Sequence, residues 1–295
     1  MAVIDISSGA LSVTASTAGG VLLGFWLEED GARVPLLRPA VPEDGALGSS
    51  CYPLVPFGNR VRDNRFTFEG REHVLTPNTA WDPLYLHGEG WQAEWSVADR
   101  GPAHIAMRFS HAGGNTPYAY EARQELALED GALRMTLSVE NRGDMRLPFG
   151  LGWHPFFPMT PETTLHAPAA RLWTEAEGFL PGEPILPPAE LDFSTPSSLP
   201  ERWVNNGLEG WSGEAVIAWP ERATKLVISA DPLFKHAFLF VSDAAFDPSY
   251  RRDYFCFEPM SHLANGHNLP DLGGLVPLDP GQRLTGSILL RPEEL

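Results

Sequence analysis

Glycine and proline interrupt this chain too often for it to hold long helices. Twenty-eight of each stand among the 295 residues; proline removes a backbone donor and clashes with the preceding turn, and glycine in an element interior costs roughly 0.5–1 kcal/mol relative to alanine. No window of 12 or more residues repeats its apolar positions at the helical period, whereas short alternating runs recur at 11–15, 21–27, 104–109, 133–139, 226–229 and 237–241. Two turn signals join such runs: Glu69-Gly70, and Glu129-Asp130-Gly131. The pattern predicts an all-β chain folded as a large antiparallel β-sandwich, two sheets covering each other's apolar faces. The proline-rich stretch 181–202 reads as a surface loop rather than a linker, because the β pattern is alike on both sides. One domain over 1–295 is expected.

Composition narrows the function classes. Hydrophobic residues make up 43% and aromatics 11%, and no apolar run approaches the roughly 18 residues of a membrane span. A net charge of −17 argues against nucleic-acid or anionic-membrane partners, which need clustered Lys and Arg. The start, Met1 to Ile6, carries neither a basic region nor a long apolar core, so a soluble, cytoplasmic protein is expected. Cys51 and Cys256 are expected to be free, buried thiols. The chain lacks C-x-x-C, a zinc-binding His pair and a glycine-rich phosphate loop, so neither a metal nor an organic cofactor is expected.

Four stretches carry residues suited to chemistry. In 251–262, alternation sets Phe255 and Phe257 on one face of a strand and Tyr254, Cys256 and Glu258 on the other. Pro259 is expected to stop that strand, leaving Glu258 at its end as a positioned carboxylate. In 147–158, Leu147, Phe149, Leu151 and Trp153 form a core face; the opposite face holds Gly150, Gly152 and His154, and its lack of bulk predicts a cavity with His154 at the rim. In 51–62 a proline-rich entry leads to Arg60, a fixed fork of five donors. In 85–91, His87 sits before a glycine-flanked loop.

Taken in order, these stretches resemble the aldose 1-epimerase (galactose mutarotase) family: Pro-Phe-x-Asn-Arg at 56–60, Leu-His-Gly at 86–88, His-Pro-Phe-Phe at 154–157 and Glu-Pro-Met at 258–260, followed by Asn268. The resemblance implies a galactose mutarotase-like supersandwich binding a monosaccharide in a groove on one sheet. It also implies that Glu258 is the general base, His154 the general acid, and Arg60 and His87 hydrogen-bond partners of the sugar. Where the family often has an Asp gripping sugar hydroxyls, this sequence has Asn205, which makes an anionic hexose (6-phosphate or sulfonated) a second expectation.

Interconverting anomers needs one base and one acid within reach of O1 and the ring oxygen. Glu258 is expected to start ionised and His154 protonated. A carbohydrate-binding sandwich without catalysis has no need of that pair. A glycoside hydrolase needs two carboxylates about 5–5.5 or 6.5–9.5 Å apart, and only Glu258 stands out. The protein is expected to act as a cofactor-independent isomerase, monomeric or homodimeric. Trp91, Trp153 and Phe157 are read as core aromatics, and Arg62, Arg65 and Arg71 as solvent-facing.

Overall fold

The computed structural model describes residues 1–29 and 31–295. Two antiparallel sheets hold most of the strands, as the alternation predicts. The larger has eleven strands, running from Val3–Ser8 through Leu11–Ser16, Leu22–Glu29, Cys51–Leu54, Gly152–Pro158, Tyr254–Met260, His236–Val241, Val204–Glu209 and Arg171–Ala176 to Leu180–Ile185, with Ala32–Pro35 paired to Leu22–Glu29. The smaller has nine, with the long strands Arg283–Glu294, Ala132–Asn141 and Tyr120–Glu129 at its middle. Among the described residues the one α-helix is Gly45–Gly48, four residues long, and no helix is long and apolar enough to cross a membrane.

Both predicted turns form. Asp130 and Gly131 have φ of 50° and 71°, and Glu69 and Gly70 have 49° and 77°; paired positive φ values are those of the tight turns that match strand twist. The principal core lies between the sheets, where Leu239, Phe255 and Phe257 of the larger meet Leu126, Leu133 and Leu137 of the smaller. Leu147, Phe149, Leu151 and Trp153 are in this core too.

Three expectations are corrected. The stretch 181–202 is not all loop: Leu180–Ile185 is an outer strand and Ser197–Ser198 a short one. Pro181 and Pro184 are tolerated because this strand is the sheet's last, with one side free of partners. Pro259 does not end its strand, which continues to Met260 between two neighbours. The pairing with Gly152–Pro158 is instead interrupted over Phe257–Pro259, opposite Trp153–Pro155, so that a proline on each side removes a donor where the ladder is open. The glycines before His154 do not open the cavity. A Cβ on Gly150 would meet His262 at 2.1 Å and one on Gly152 the Pro259 carbonyl oxygen at 2.9 Å, so protein atoms, not a ligand, occupy that space.

Cys51 and Cys256 are free and buried. Cys51 packs in the principal core and Cys256 in a second cluster with Tyr52, Phe156 and Phe238, which puts the two thiols on opposite faces of the sheet.

Candidate active site

Alternation along neighbouring strands aligns one row of residues on the face of the larger sheet turned away from the principal core. Tyr52 stands opposite His154, and the register pairing Gly152 with Met260 and Phe156 with Cys256 sets His154 opposite Glu258; Phe238 then faces Glu258, and Gly207 faces Phe238. The adjoining row is Phe156, Cys256, Phe240 and Asn205. These rows floor a cavity of about 450 Å³ whose lining includes Glu258, His154, Arg60, His87 and Asn205. All five residues singled out in the sequence therefore meet in one place. Tyr254 lines it as well, whereas Cys256 is buried beneath it.

His154 Nε2 lies 3.2 Å from Glu258 Oε1. The imidazole is stacked on Tyr52, with ring centroids 4.5 Å apart and planes 21° from parallel, so its orientation is held by packing. Glu258 is 2% exposed and His154 9%. Glu258 Oε2 and His154 Nδ1 have no hydrogen-bond partner among the described residues; buried polar atoms left so are costly and point to a ligand-binding role.

Burial raises the Glu258 carboxyl well above the usual carboxylate range, with Arg60 the opposing charge, and lowers His154 to about 3. Both shifts favour uncharged forms. Desolvation thus opposes the ion pair and favours the carboxylic acid beside the neutral imidazole. Both directions run against the expected ionised Glu258 and protonated His154, because burial disfavours charge on either group.

Arg60 Nε and Nη2 both reach Asp82 Oδ2, at 2.8 and 2.7 Å, leaving the rest of the fork free to face the cavity. His87 has φ of 61° in a loop tied to the strand before Arg60 by bridges between Val55 and Gly88 and between Arg60 and Leu86. The Asn59 N–H donates to His87 Nδ1 at 2.9 Å. Burial, with His154 and Arg60 nearby, lowers His87 well below its ordinary value, so the neutral ring keeps its proton on Nε2 as a donor. Asn205 donates through Nδ2 to Glu175 Oε2, which also accepts from Trp203 Nε1 at 3.0 Å.

Comparison with known proteins gives the family. The family model for aldose 1-epimerase matches residues 2–291. The chain belongs to the aldose 1-epimerase family. The uncharacterized protein YphB of Escherichia coli K12 is 43% identical over 100% of both chains. A crystal structure of an Escherichia coli K12 protein, provisionally described as an aldose 1-epimerase, is also 43% identical, with a TM-score of 0.95 over 100% of this chain and 99% of that one. A galactose 1-epimerase from Lactobacillus acidophilus NCFM, at 16% identity, shares the fold with a TM-score of 0.79 over 99% and 94% of the two chains.

Several residues around the cavity of this aldose 1-epimerase family member escaped the sequence reading. Tyr52 lies inside a quoted stretch, but nothing in a short apolar run marks the one aromatic that stacks on His154. Asp82 is twenty-two positions from the Arg60 it holds. The rim aromatics Trp203, Phe179 and Phe246, with centroids 4.9–6.0 Å apart, come from three separate loops and strand ends. Trp91, read as core, braces the His87 loop by donating to the Leu86 and Gly88 carbonyls at 3.2 and 3.0 Å. Trp153 and Phe157 are fully buried. Asn268 lies outside the cavity and donates to the Arg65 carbonyl.

Proposed function

We propose that this chain is an isomerase interconverting the α and β anomers of a neutral hexose, opening and reclosing the ring by acid–base chemistry without a cofactor. The observation that carries the reading is the 3.2 Å contact of His154 with Glu258, in a cavity that also presents Arg60 and His87. O1 and the ring oxygen are bonded to the same carbon, so the acid and base that serve them must be close neighbours. These two side chains are in contact.

The steps balance with a single proton on the pair. Glu258 carboxylate takes the proton from O1, the O1 electrons form the aldehyde, the bond from C1 to the ring oxygen breaks, and the ring oxygen takes the proton of the His154 imidazolium. Rotation about C1–C2 exposes the other aldehyde face, and the reverse transfers close the ring. The closed sugar thus accompanies the charged pair, and the open aldehyde accompanies carboxylic acid and neutral imidazole. Burial stabilises this second form, so the site favours the reactive intermediate over its own charged starting state. Arg60, the charge opposing the Glu258 shift, keeps the carboxylate within reach. His87 and Arg60 donate to hydroxyls, and Asn205 contacts the ring edge remote from C1.

A neutral sugar fits the surroundings better than a charged one. Arg62 and Arg65 line a separate cavity, Arg71 lies against Met145 Sδ, and Asp247 together with Glu175 beside Asn205 gives the rim carboxylates instead. We read 1–295 as one domain, in support of which the principal core draws on residues from Ile4 to Leu290. The enzyme is proposed to work in the cytoplasm as a monomer or homodimer.

Polarimetry of freshly dissolved α-D-glucose and α-D-galactose tests the reading. The wild type is expected to speed relaxation to the anomeric equilibrium, and Glu258→Gln and His154→Asn each to lose about 10²–10⁴-fold in kcat. A wild type that accelerates neither sugar removes the enzyme reading, and full activity in Glu258→Gln removes the base assignment.

A further inference from the structure

Asn205 is an amide whose two ends do opposite things, one donating and one accepting, so its effect on a sugar depends on which way it is turned. Its environment decides this. The nearest partner is Glu175 Oε2, and an ionised carboxylate only accepts. The NH₂ group must therefore face Glu175, and Oδ1 is turned away from it. Asn205 is 9% exposed and lines the cavity, while Glu175, exposed on the neighbouring strand Arg171–Ala176 and outside the cavity lining, also accepts from the Trp203 indole Nε1 at 3.0 Å.

We infer that Glu175 is a specificity-determining positioning residue: it locks the Asn205 amide so that Oδ1 faces the cavity as a neutral acceptor for a sugar hydroxyl. The site thereby obtains the acceptor function of a carboxylate with the negative charge held outside the cavity. Asn205 stands two strands from Glu258 in the sheet order, about 10 Å at the usual strand spacing. Side chains converging from both ends span one pyranose, so the hydroxyl read is on the C3–C4 edge when C1 is at Glu258. The inference rests on the proposed sugar site and deepens it.

The arrangement makes a reciprocal prediction that simple loss of structure does not. Asn205→Asp brings two carboxylates into hydrogen-bond distance, where like charges repel; KM for glucose and galactose is expected to rise about tenfold or more, with kcat less affected. Glu175→Gln frees the amide to turn, and a milder rise is expected. The double variant Asn205→Asp with Glu175→Gln restores a clean acceptor and is expected to recover KM to within a few-fold of wild type. At the ligand, fluorine cannot donate a hydrogen bond. The wild type is expected to discriminate against 3-deoxy-3-fluoroglucose or 4-deoxy-4-fluoroglucose relative to glucose, and Glu175→Gln to lose much of that discrimination.

Two readouts separate this inference from the catalytic one. Sugar affinity by titration calorimetry reports the pattern without turnover. The side-chain ¹H–¹⁵N signals of Asn205 report the lock without any sugar: one exchange-protected, shifted amide proton is expected in the wild type and lost in Glu175→Gln. Binding and NMR patterns as expected with no anomer exchange sink the catalytic reading and leave this one standing. An Asn205 amide unchanged by Glu175→Gln, or an Asn205→Asp variant with wild-type KM that Glu175→Gln does not alter, overturns it.

Discussion

Glu258 and His154 show how burial reshapes an acid–base pair. Activity requires one proton on the two groups together, and the depressed imidazole and raised carboxyl widen the pH range over which that holds. Below the His154 value of about 3 the pair takes a second proton and the base is lost; above the raised Glu258 value it loses its last proton and the acid is lost. The acid limb of the kcat/KM profile is therefore expected well below 6.5, the ordinary histidine value, and the alkaline limb above the ordinary carboxylate range. An acid limb centred at that ordinary value contradicts the buried-neutral assignment. Asp82→Asn tests the support of Arg60: with its charged partner gone, the guanidinium is less firmly held, and KM is expected to rise about tenfold with kcat changing less. Equal falls in kcat and kcat/KM, with KM unchanged, mean instead that Asp82 acts on the transition state alone. Glu258, His154, Arg60 and His87 were legible because each sits in a motif of unusual composition. Asp82, Tyr52 and Glu175 were not, since each works through a partner many residues away and an isolated Asp, Tyr or Glu in sequence has no such partner.

The elements that deliver these side chains depend on close backbone approach. Gly88 has φ of 70°, and a Cβ there would meet the Val55 carbonyl oxygen at 2.2 Å. Gly88→Ala is expected to push the His87 loop off Val55 and Pro56, costing about 1–3 kcal/mol in stability and raising KM; thermal denaturation and steady-state kinetics measure the two. Gly131→Ala is the comparison, for its Cβ would meet nothing within 4 Å. It is expected to lower stability by about 1 kcal/mol through its positive φ while leaving KM alone. Alternation made the strands and their faces readable, down to which side of Tyr254–Met260 holds Glu258. It failed at Pro259, because a proline in a central strand is allowed only where the neighbouring ladder is open, and that is a property of two strands together. The glycines before His154 misled for a related reason. Sequence signals close approach, but not whether His262 or a sugar is what comes close.

For the molecule as a whole, the fold encloses several imidazoles whose charged forms burial disfavours. Burial lowers His87, His154, His262 and His267, all enclosed, and also His73 and His236. In the unfolded chain each takes up a proton near pH 6.5, which the folded protein resists, so folded stability falls as pH drops below that value. Each fully buried imidazole costs up to about 1.4 kcal/mol per pH unit there. The raised Glu258 carboxyl works the other way, adding stability that is present below its unfolded value and lost as pH rises through its folded one. Four enclosed histidines outweigh one carboxyl, and Tm is expected to be lower at pH 5 than at pH 7 by several degrees; an unchanged or higher Tm at pH 5 means that these rings are not held neutral. The architecture itself was readable from the density of turn residues and the short alternating runs, while the pairing order of strands far apart in sequence was not. The central claim, that Glu258 and His154 act as one unit sharing a proton, is tested most directly by exchange NMR on a [1-¹³C]hexose at anomeric equilibrium with wild type, Glu258→Gln, His154→Asn and the double variant. Strong acceleration by the wild type, with the double variant no slower than the worse single one, is the predicted result; additive losses in the double variant, or wild-type exchange in either single one, contradict it.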